Sequence, residues 1–340
     1  MSLAPPARVV RVLIVFALVG CGHAPGVDPI DATSTGSNDS RDAPAADVAV
    51  VTDACFPDPA AGHRAYSCNG IAFDVEVPAG CAGGGCGIIL DVHGLTMSAA
   101  MEDANDGMRA RGGAAGFVVI QPSANPAPPQ AQWGPDDEPK IYDILTRAIA
   151  VYRSDPLRVH MTGFSQGGFM TWRFLCGHAD LFASVAPAAA ASNCPVVGNP
   201  SGPPACSFTG AELPSRKLPI LYMHGSDDHN YIPFSCAQPQ VDAIVAAWGL
   251  TSDGIVASSP TYTRTRWSGS GAVLEFIAHD YSSNAQVPFV SATKLLGHCF
   301  PGSADPGTQP GQLFPFGCEQ PASFTWGEEV VAFFTAHPRS

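Results

Sequence analysis

The chain has 340 residues, of which 46% are hydrophobic and only 14% are charged, and its formal net charge is −13. This composition supplies enough apolar material for a large core and excludes an intrinsically disordered chain. The acidic balance and the lack of a basic cluster argue against nucleic acid as a partner, because phosphate binding needs a face rich in Lys and Arg. One large domain accommodates this length.

The first twenty residues have the pattern of a secretory signal. Arg8 and Arg11 precede an apolar run over residues 12–20, which is too short to span a bilayer as a stable helix. The run ends in Leu-Val-Gly-Cys at Cys21, and this tetrapeptide resembles the bacterial lipobox. We therefore interpret residues 1–20 as a lipoprotein signal peptide and Cys21 as the lipidation site. The alternative is an ordinary signal peptide with a cysteine there by chance.

Residues 21–53 are rich in small and polar amino acids and lack a periodic apolar pattern. This composition predicts a disordered tether, followed by a folded domain over residues 54–340. An acyl chain on Cys21 would make the membrane a partner of the protein. We expect an exported protein that is anchored by lipid to the bacterial cell envelope, at the outer membrane or surface, or an extracellular one.

The cysteine content points to an oxidising compartment. The chain has 11 cysteines, and setting Cys21 aside leaves an even number for disulfides. The scattered cysteines form no Cys-x-x-Cys motif, which disfavours a zinc site. Spacing does not fix connectivity, but the candidate local pairs are Cys55–Cys68, Cys81–Cys86, Cys194–Cys206 and Cys299–Cys318, with Cys176–Cys236 remaining.

Predicted strands and helices alternate along most of the chain. Strands are predicted at 72–77, 87–92, 116–120, 158–162 and 218–223, and helices at 97–111, 141–153, 167–176 and from Thr325, where Glu328 would complete a capping box. The apolar runs at 87–92 and 218–223 are typical of strands buried on both faces. Residues 256–296 are strand-like and stay unassigned. The alternation predicts an α/β protein with a mostly parallel central sheet flanked by helices.

A Gly-x-Ser-x-Gly motif centred on Ser165 follows the predicted strand at 158–162. A sharp turn from a strand into a helix exposes such a serine at the carboxyl end of the sheet, and the small residues on either side let the helix approach the strand. The motif is short, and it also occurs as a tight glycine turn with a solvent-facing serine. Its context favours a nucleophile in an α/β-hydrolase fold.

A serine hydroxyl needs a histidine to take its proton and a carboxylate to orient that histidine. In this fold the chain order is Ser, then acid, then His. Asp227 and Asp228 lie just beyond the predicted strand at 218–223. Both qualify as the acid by composition, and spacing alone does not choose between them.

Four histidines follow the acidic pair. His229 adjoins the acid itself, and His337 lies close to the chain end. His279 and His298 therefore remain as candidates for the base. The position of His298 in a loop before the last helix suits the base, whereas His279 ends a strand-like run.

These segments resemble the polyhydroxybutyrate-depolymerase and feruloyl-esterase-like group of secreted α/β-hydrolases over most of residues 70–337. The likeness lies in residues 90–94, 155–159, 162–170, 181–187, 224–228, 232–234 and 297–302. The acid of this family is the fourth residue after the histidine of a His-Gly-x-x-Asp run, which implies Asp228. The base of the family falls on His298.

The resemblance also implies an oxyanion hole made by the backbone N–H groups of Leu95 and Gln166. Two positions depart from the family pattern. Leu95 stands where many members have Cys, which a backbone donor tolerates. Phe300 stands where many members have Trp, and we expect this change to alter the wall near the active site.

The expected reaction is a two-step acyl transfer through Ser165, His298 and Asp228 that needs no cofactor and no metal. Family analogy suggests hydroxyalkanoate polyesters, or feruloyl and acetyl esters of plant polysaccharide, as substrates. Three tryptophans, Trp133, Trp172 and Trp267, would pack on such substrates if they are exposed, and a place in the core is an equal alternative for each. The alternatives are a peptidase or acyltransferase on the same triad, and a non-catalytic surface-binding lipoprotein.

Overall fold

A ten-stranded mixed sheet forms the centre of the fold in the computed structural model. The structure describes residues 53–192, 194, 206–210, 212–288 and 293–339. The predicted signal peptide, Cys21 and nearly all of the predicted tether lie outside these residues. None of the helices within the described ranges is both long and apolar enough to cross a membrane.

The strands run in the chain order β1 Gly62–Cys68, β2 Ile71–Val77, β3 Gly87–Val92, β4 Phe117–Ser123, β5 Val159–Phe164, β6 Ser184–Ala188, β7 Ile220–Gly225, β8 Thr251–Ser259, β9 Tyr262–Gly269 and β10 Ala272–His279. Their order across the sheet is β1-β2-β4-β3-β5-β6-β7-β10-β9-β8. The neighbours from β4 to β10 pair in parallel, and antiparallel strands border this block at both edges. A separate antiparallel pair consists of β11 Ser283–Val287 and β12 Thr293–Leu296.

Helices cover both faces of the sheet. They are α1 Ala99–Asp106, α2 Met108–Ala114, α3 Asp137–Val151, α4 Gln166–His178, α5 Ala237–Trp248 and α6 Trp326–Ala336. Apolar residues of α3, α4 and α5 pack in one core, and those of α1, α2 and α6 pack in a second. Ile88 and Leu90 of β3 belong to the first core and Ile89 to the second, as expected for a strand buried on both faces. The structure thus confirms the predicted α/β architecture.

The helix predicted over residues 97–111 is two helices, α1 and α2. Gly107 separates them with φ at +65°, and its N–H bonds the carbonyl of Asp103. This is a left-handed cap, which glycine adopts without steric cost. A single glycine inside a helical pattern is often tolerated, so the pattern alone did not reveal the break.

The capping box predicted at Thr325 and Glu328 is wrong. Thr325 is the N-cap residue of α6, but its side chain makes no capping bond. Arg111 of α2 reaches Thr325 Oγ1 at 3.5 Å and Glu328 Oε1 at 3.4 Å. A side chain from another helix therefore occupies the groups that the local pattern assigned to the cap.

Five disulfides join the ten cysteines of the described residues. The predicted pairs Cys55–Cys68, Cys81–Cys86 and Cys299–Cys318 are confirmed. The predictions Cys194–Cys206 and Cys176–Cys236 are wrong, because Cys176 bonds Cys206 and Cys194 bonds Cys236. The error came from pairing Cys194 with Cys206, its nearest cysteine in sequence, which left Cys176 for Cys236. The observed bridges join cysteines that are 30 and 42 residues apart.

Candidate active site

Ser165 lies at the turn between β5 and α4. Its φ of 54° and ψ of −113° are strained for a residue with a side chain. The Ser165 N–H donates to the Ala188 carbonyl at 3.0 Å, and the Ser165 carbonyl accepts from Phe169 N–H at 2.9 Å. Gly167 allows α4 to approach β3, because a Cβ at this position would clash with the Val92 carbonyl. Backbone bonds and a close glycine contact therefore hold the strained turn.

The structure brings Ser165, His298 and Asp228 together from three separate segments. His298 Nε2 lies 2.9 Å from Ser165 Oγ, and His298 Nδ1 lies 2.7 Å from Asp228 Oδ2. The carboxylate only accepts, so Nδ1 carries a hydrogen and Nε2 is left to accept the serine proton. All three residues are more than nine-tenths buried. Water therefore competes little with these hydrogen bonds.

Asp228 is held in its charged form. Burial raises the pKa of Asp228, but the charge and hydrogen bonds of His298 and His224 outweigh burial and bring it well below its usual range. The other carboxylate oxygen accepts the backbone N–H groups of Tyr231 and Ile232, each at 3.3 Å. These contacts fix the carboxylate in the plane that His298 needs.

His224 is a further buried contact of Asp228. Its Nε2 lies 2.7 Å from the Ile232 carbonyl and 3.5 Å from Asp228 Oδ2, and its Nδ1 lies 2.8 Å from the Tyr222 hydroxyl. The Ile232 carbonyl only accepts, so Nε2 carries a hydrogen that also faces the carboxylate. Nothing in the sequence pattern predicts this contact, although His224 opens the His-Gly-x-x-Asp run that implied Asp228.

The two competing sequence candidates lie elsewhere. Asp227 is 44% exposed and contacts Ser282 and His229. His279 is buried in β10 opposite Gly225, and burial lowers its pKa to about 3. Asp227 is therefore a surface charge, and His279 is a neutral core residue.

The two backbone amides predicted as oxyanion donors flank Ser165. Leu95 follows Gly94, where an added Cβ would lie 3.2 Å from Ser165 Cβ. Gln166 is the first residue of α4, so its N–H has no intrahelical acceptor. Among the hydrogen bonds of the described residues, neither amide donates to another protein group. Both N–H groups thus lack a protein acceptor among the described residues, as the predicted oxyanion hole requires.

His93 orients one of these amides. Its Nε2 accepts the Ala124 N–H at 2.9 Å, so Nδ1 carries the hydrogen and donates to the Gly94 carbonyl at 2.7 Å. The Gly94 carbonyl and the Leu95 N–H belong to one planar peptide and point in opposite directions. Burial lowers the pKa of His93 to about 4, which keeps the ring neutral at neutral pH. We call residues 93–96 the His93 loop.

Trp133 braces the His93 loop. Its indole Nε1 donates to the His93 carbonyl at 2.8 Å, and its backbone N–H donates to the side chain of Gln166 at 3.1 Å. Trp133 and Trp172 are fully buried, so the structure places both in the core and not on a substrate. Trp267 is partly buried in β9. Sequence gives no signal for the bracing role, because it depends on contacts between distant segments.

Aromatic rings pack against the imidazole of His298 and against the loop that carries it. His298 lies between Tyr231, at a ring distance of 5.1 Å, and Phe164, at 4.9 Å. Phe300 is fully buried and stacks on Phe164 at a ring distance of 4.0 Å. It therefore supports the ring that contacts His298, and it does not form an exposed wall of the active site. The Cys299–Cys318 disulfide, which the sequence predicted as a local pair, adjoins His298 and restrains the loop that carries it.

Two characterised proteins are similar to the chain in sequence. A bifunctional acetylxylan esterase/xylanase of Neocallimastix patriciarum is 26% identical over 144 residues, which cover 42% of this chain and 19% of that protein. Poly(3-hydroxyalkanoate) depolymerase C of Paucimonas lemoignei is 28% identical over 198 residues, which cover 54% of this chain and 40% of that protein. The chain therefore spans well under half the length of these relatives. No protein-family model matches it.

The acetyl xylan esterase from Aspergillus awamori is a similar solved structure. It has a TM-score of 0.51 and 17% identity, and the match covers 64% of this chain and 92% of that one. At this identity the likeness concerns the fold, and it confirms the α/β-hydrolase fold that the sequence predicted. The sequence relatives confirm the resemblance to esterases of the polyhydroxyalkanoate-depolymerase kind.

The Ser165–His298–Asp228 contacts predict a reactive serine. We expect an alkyl fluorophosphonate to label Ser165, and Asp228→Asn to slow labelling by about 10³–10⁴-fold because the imidazole loses its orienting charge. The adjacent, exposed Asp227→Asn should leave the rate within about twofold, since it removes a surface charge. Intact-mass spectrometry over time measures both rates. Equal slowing by the two variants would contradict the assignment of Asp228.

Proposed function

We propose that the protein is a serine carboxylic-ester hydrolase that acts through Ser165, His298 and Asp228. The observation that carries this proposal is the unbroken, buried hydrogen-bond chain from Ser165 Oγ through His298 to Asp228. A strained turn of this kind at the carboxyl end of a parallel strand is the setting of an activated serine. The names of the two sequence relatives, an esterase and a depolymerase, support ester chemistry.

The proposed reaction has two steps, and His298 acts as general base and general acid in both. Ser165 Oγ attacks the ester carbonyl while His298 Nε2 takes the hydroxyl proton, and Asp228 stabilises the imidazolium. The carbonyl oxygen becomes negative and accepts hydrogen bonds from the N–H groups of Leu95 and Gln166, each worth about 10²–10³ in rate. His298 then protonates the departing alcohol. In the second step His298 takes a proton from water as the water oxygen attacks the acyl carbon, and it returns that proton to Ser165 Oγ as the acid leaves.

We propose two substrate classes, acetyl esters of a plant polysaccharide and hydroxyalkanoate polyesters. They are the substrate types that the names of the relatives carry. Feruloyl esters are a third class suggested by the sequence resemblance. In all of them the scissile bond is a carboxylic ester, so the same serine, base and backbone donors serve each one.

A panel of esters separates the classes. The full-length chain, expressed under disulfide-forming conditions, is assayed on p-nitrophenyl butyrate, hydroxybutyrate polymer, acetylated xylan, methyl ferulate and a peptide p-nitroanilide. We expect hydrolysis of the esters to exceed that of the anilide, and Ser165→Ala to lose at least about 10³-fold. Ser252→Ala, an exposed serine on β8, is the matched control and should keep full activity.

Each outcome has a defined meaning. Equal ester hydrolysis by the wild type and Ser165→Ala would reject the catalytic proposal. Faster cleavage of the anilide than of any ester would favour a peptidase. Activity on one natural ester alone would choose the substrate class.

The contact of His93 with the Gly94 carbonyl predicts how a substitution of His93 changes the kinetics. His93→Leu removes the bond that aims the Leu95 N–H, so we expect kcat to fall by about 10²-fold while KM stays within about threefold, because this donor acts mainly on the transition state. His229→Leu, at an exposed histidine, is the control. Steady-state kinetics on p-nitrophenyl butyrate measure the split, and thermal melting verifies that both variants are folded. A rise in KM with unchanged kcat would contradict the orienting role.

We further propose that the chain is exported and that lipid is attached at Cys21. The five disulfides support an oxidising compartment, and the basic and apolar segments before Cys21 support a lipoprotein signal. In a bacterial host fed radiolabelled fatty acid, we expect label in the wild type and none in Cys21→Ser. The variant should also leave the membrane fraction. Equal labelling of the two proteins would reject lipid attachment at this residue.

A further inference from the structure

Three carboxyl groups are buried side by side next to the His93 loop. They belong to Asp91 of β3 and to Glu102 and Asp106 of α1, and we call them the acid cluster. Each is at least 98% buried. One oxygen from each residue lies within 4.8 Å of the other two. The proposed ester hydrolysis uses none of these groups.

Most oxygens of the acid cluster make no close hydrogen bond. Asp91 Oδ2 accepts from the Gln121 side chain at 2.6 Å, and Asp106 Oδ1 accepts from the Met108 N–H at 2.9 Å. The second oxygen of each aspartate and both oxygens of Glu102 make none, although Asp91 and Asp106 lie near enough to share a proton and the Gly94 N–H faces Glu102 at longer range. Buried polar atoms are normally well paired, because a poorly paired one loses its hydration without compensation. Poorly paired oxygens on three adjacent carboxyl groups therefore point to a ligand that would satisfy them.

The charge of the acid cluster has little compensation from the protein. Burial raises the pKa of Asp91 to about 7, and burial together with the charge on Asp91 holds the pKa values of Glu102 and Asp106 well above their usual range. The guanidinium of Arg109 reaches Asp91 through Gln121. A divalent cation would supply the positive charge that the surrounding side chains do not.

The geometry of the acid cluster suits a hard cation. Calcium binds six to eight oxygen ligands at about 2.3–2.6 Å, so oxygens on opposite sides of the ion are about 4.8 Å apart. One oxygen of each carboxylate lies within 4.8 Å of the other two, so a single ion can contact all three. Neither oxygen of Glu102 makes a close hydrogen bond, so both are open to a bidentate contact with the ion. Ligands that are all oxygen favour calcium, magnesium or manganese over the softer metals.

We propose that Asp91, Glu102 and Asp106 form a structural binding site for a hard divalent cation, with calcium as the preferred ion. The ion would fasten α1 to β3 just before the His93 loop, since Asp91 lies two residues from His93 in the chain. This inference does not rest on the proposed esterase activity. It is tested by bound metal and by stability.

The wild-type test uses the full-length chain after removal of metals with EDTA. We expect about one calcium ion per chain after equilibration with about 1 mM calcium, and a rise in Tm of about 5 °C relative to EDTA at about pH 8. Plasma mass spectrometry counts the ion, and calorimetry gives the Tm. Magnesium and manganese are tested in parallel, and a larger effect of either would name that ion in place of calcium. The absence of any bound ion and of any Tm shift with all three would overturn the proposal.

Two variants locate the site. Glu102→Gln keeps the shape but removes a ligand charge, so we expect it to lose the bound ion and most of the Tm rise. Asp242→Asn makes the same chemical change at an exposed position of α5 and should retain both. An undiminished Tm rise in Glu102→Gln would place the ion elsewhere and overturn the proposal. Should Glu102→Gln fail to fold, Asp91→Asn takes its place, and the wild-type stoichiometry still decides.

Discussion

The site depends on the close approach of α4 to β3 at Gly167. This contact places the strained Ser165 between the ends of β3 and β6, where the Ala188 carbonyl holds its backbone. A positive φ at a serine costs about 1–3 kcal/mol. The apolar side of α4, with its fully buried Trp172 and Phe174, anchors the helix firmly enough to offset that cost. A side chain at position 167 would separate α4 from β3 and move the serine away from the His93 loop.

The strand β3 contributes polar groups to two different places. Asp91 enters the acid cluster, and His93, just beyond the strand, turns the Gly94 peptide. Apolar neighbours cover both faces of the strand, so each polar group must find its partner inside the protein. His93 finds two hydrogen-bond partners, whereas Asp91 finds one for its two oxygens. The poorly paired oxygen of Asp91 is one of the observations behind the proposed cation site.

Local patterns predicted the parallel core and the turn at Ser165, because a buried strand, a glycine-flanked serine and a helix follow one another directly in the chain. The choice of Asp228 over Asp227 needed the family resemblance, since both side chains have the same chemistry and burial separates them only in the fold. The bridges of Cys176 and Cys194, and the contacts of Arg111 with the start of α6, depend on which segments meet in space. The buried role of Trp133 was hidden for the same reason. The sequence thus predicted the features that depend on residues adjacent in the chain, and it missed contacts between distant segments.

The contacts of His298 span long stretches of chain, with 133 residues to Ser165 and 70 to Asp228. Closing such loops has an entropic cost that the contacts of the assembled sheet must offset. A chain emerging from the ribosome holds its serine long before its imidazole has been synthesised. A chain synthesised only as far as residue 297 therefore carries Ser165 without its base, and its hydroxyl is not activated.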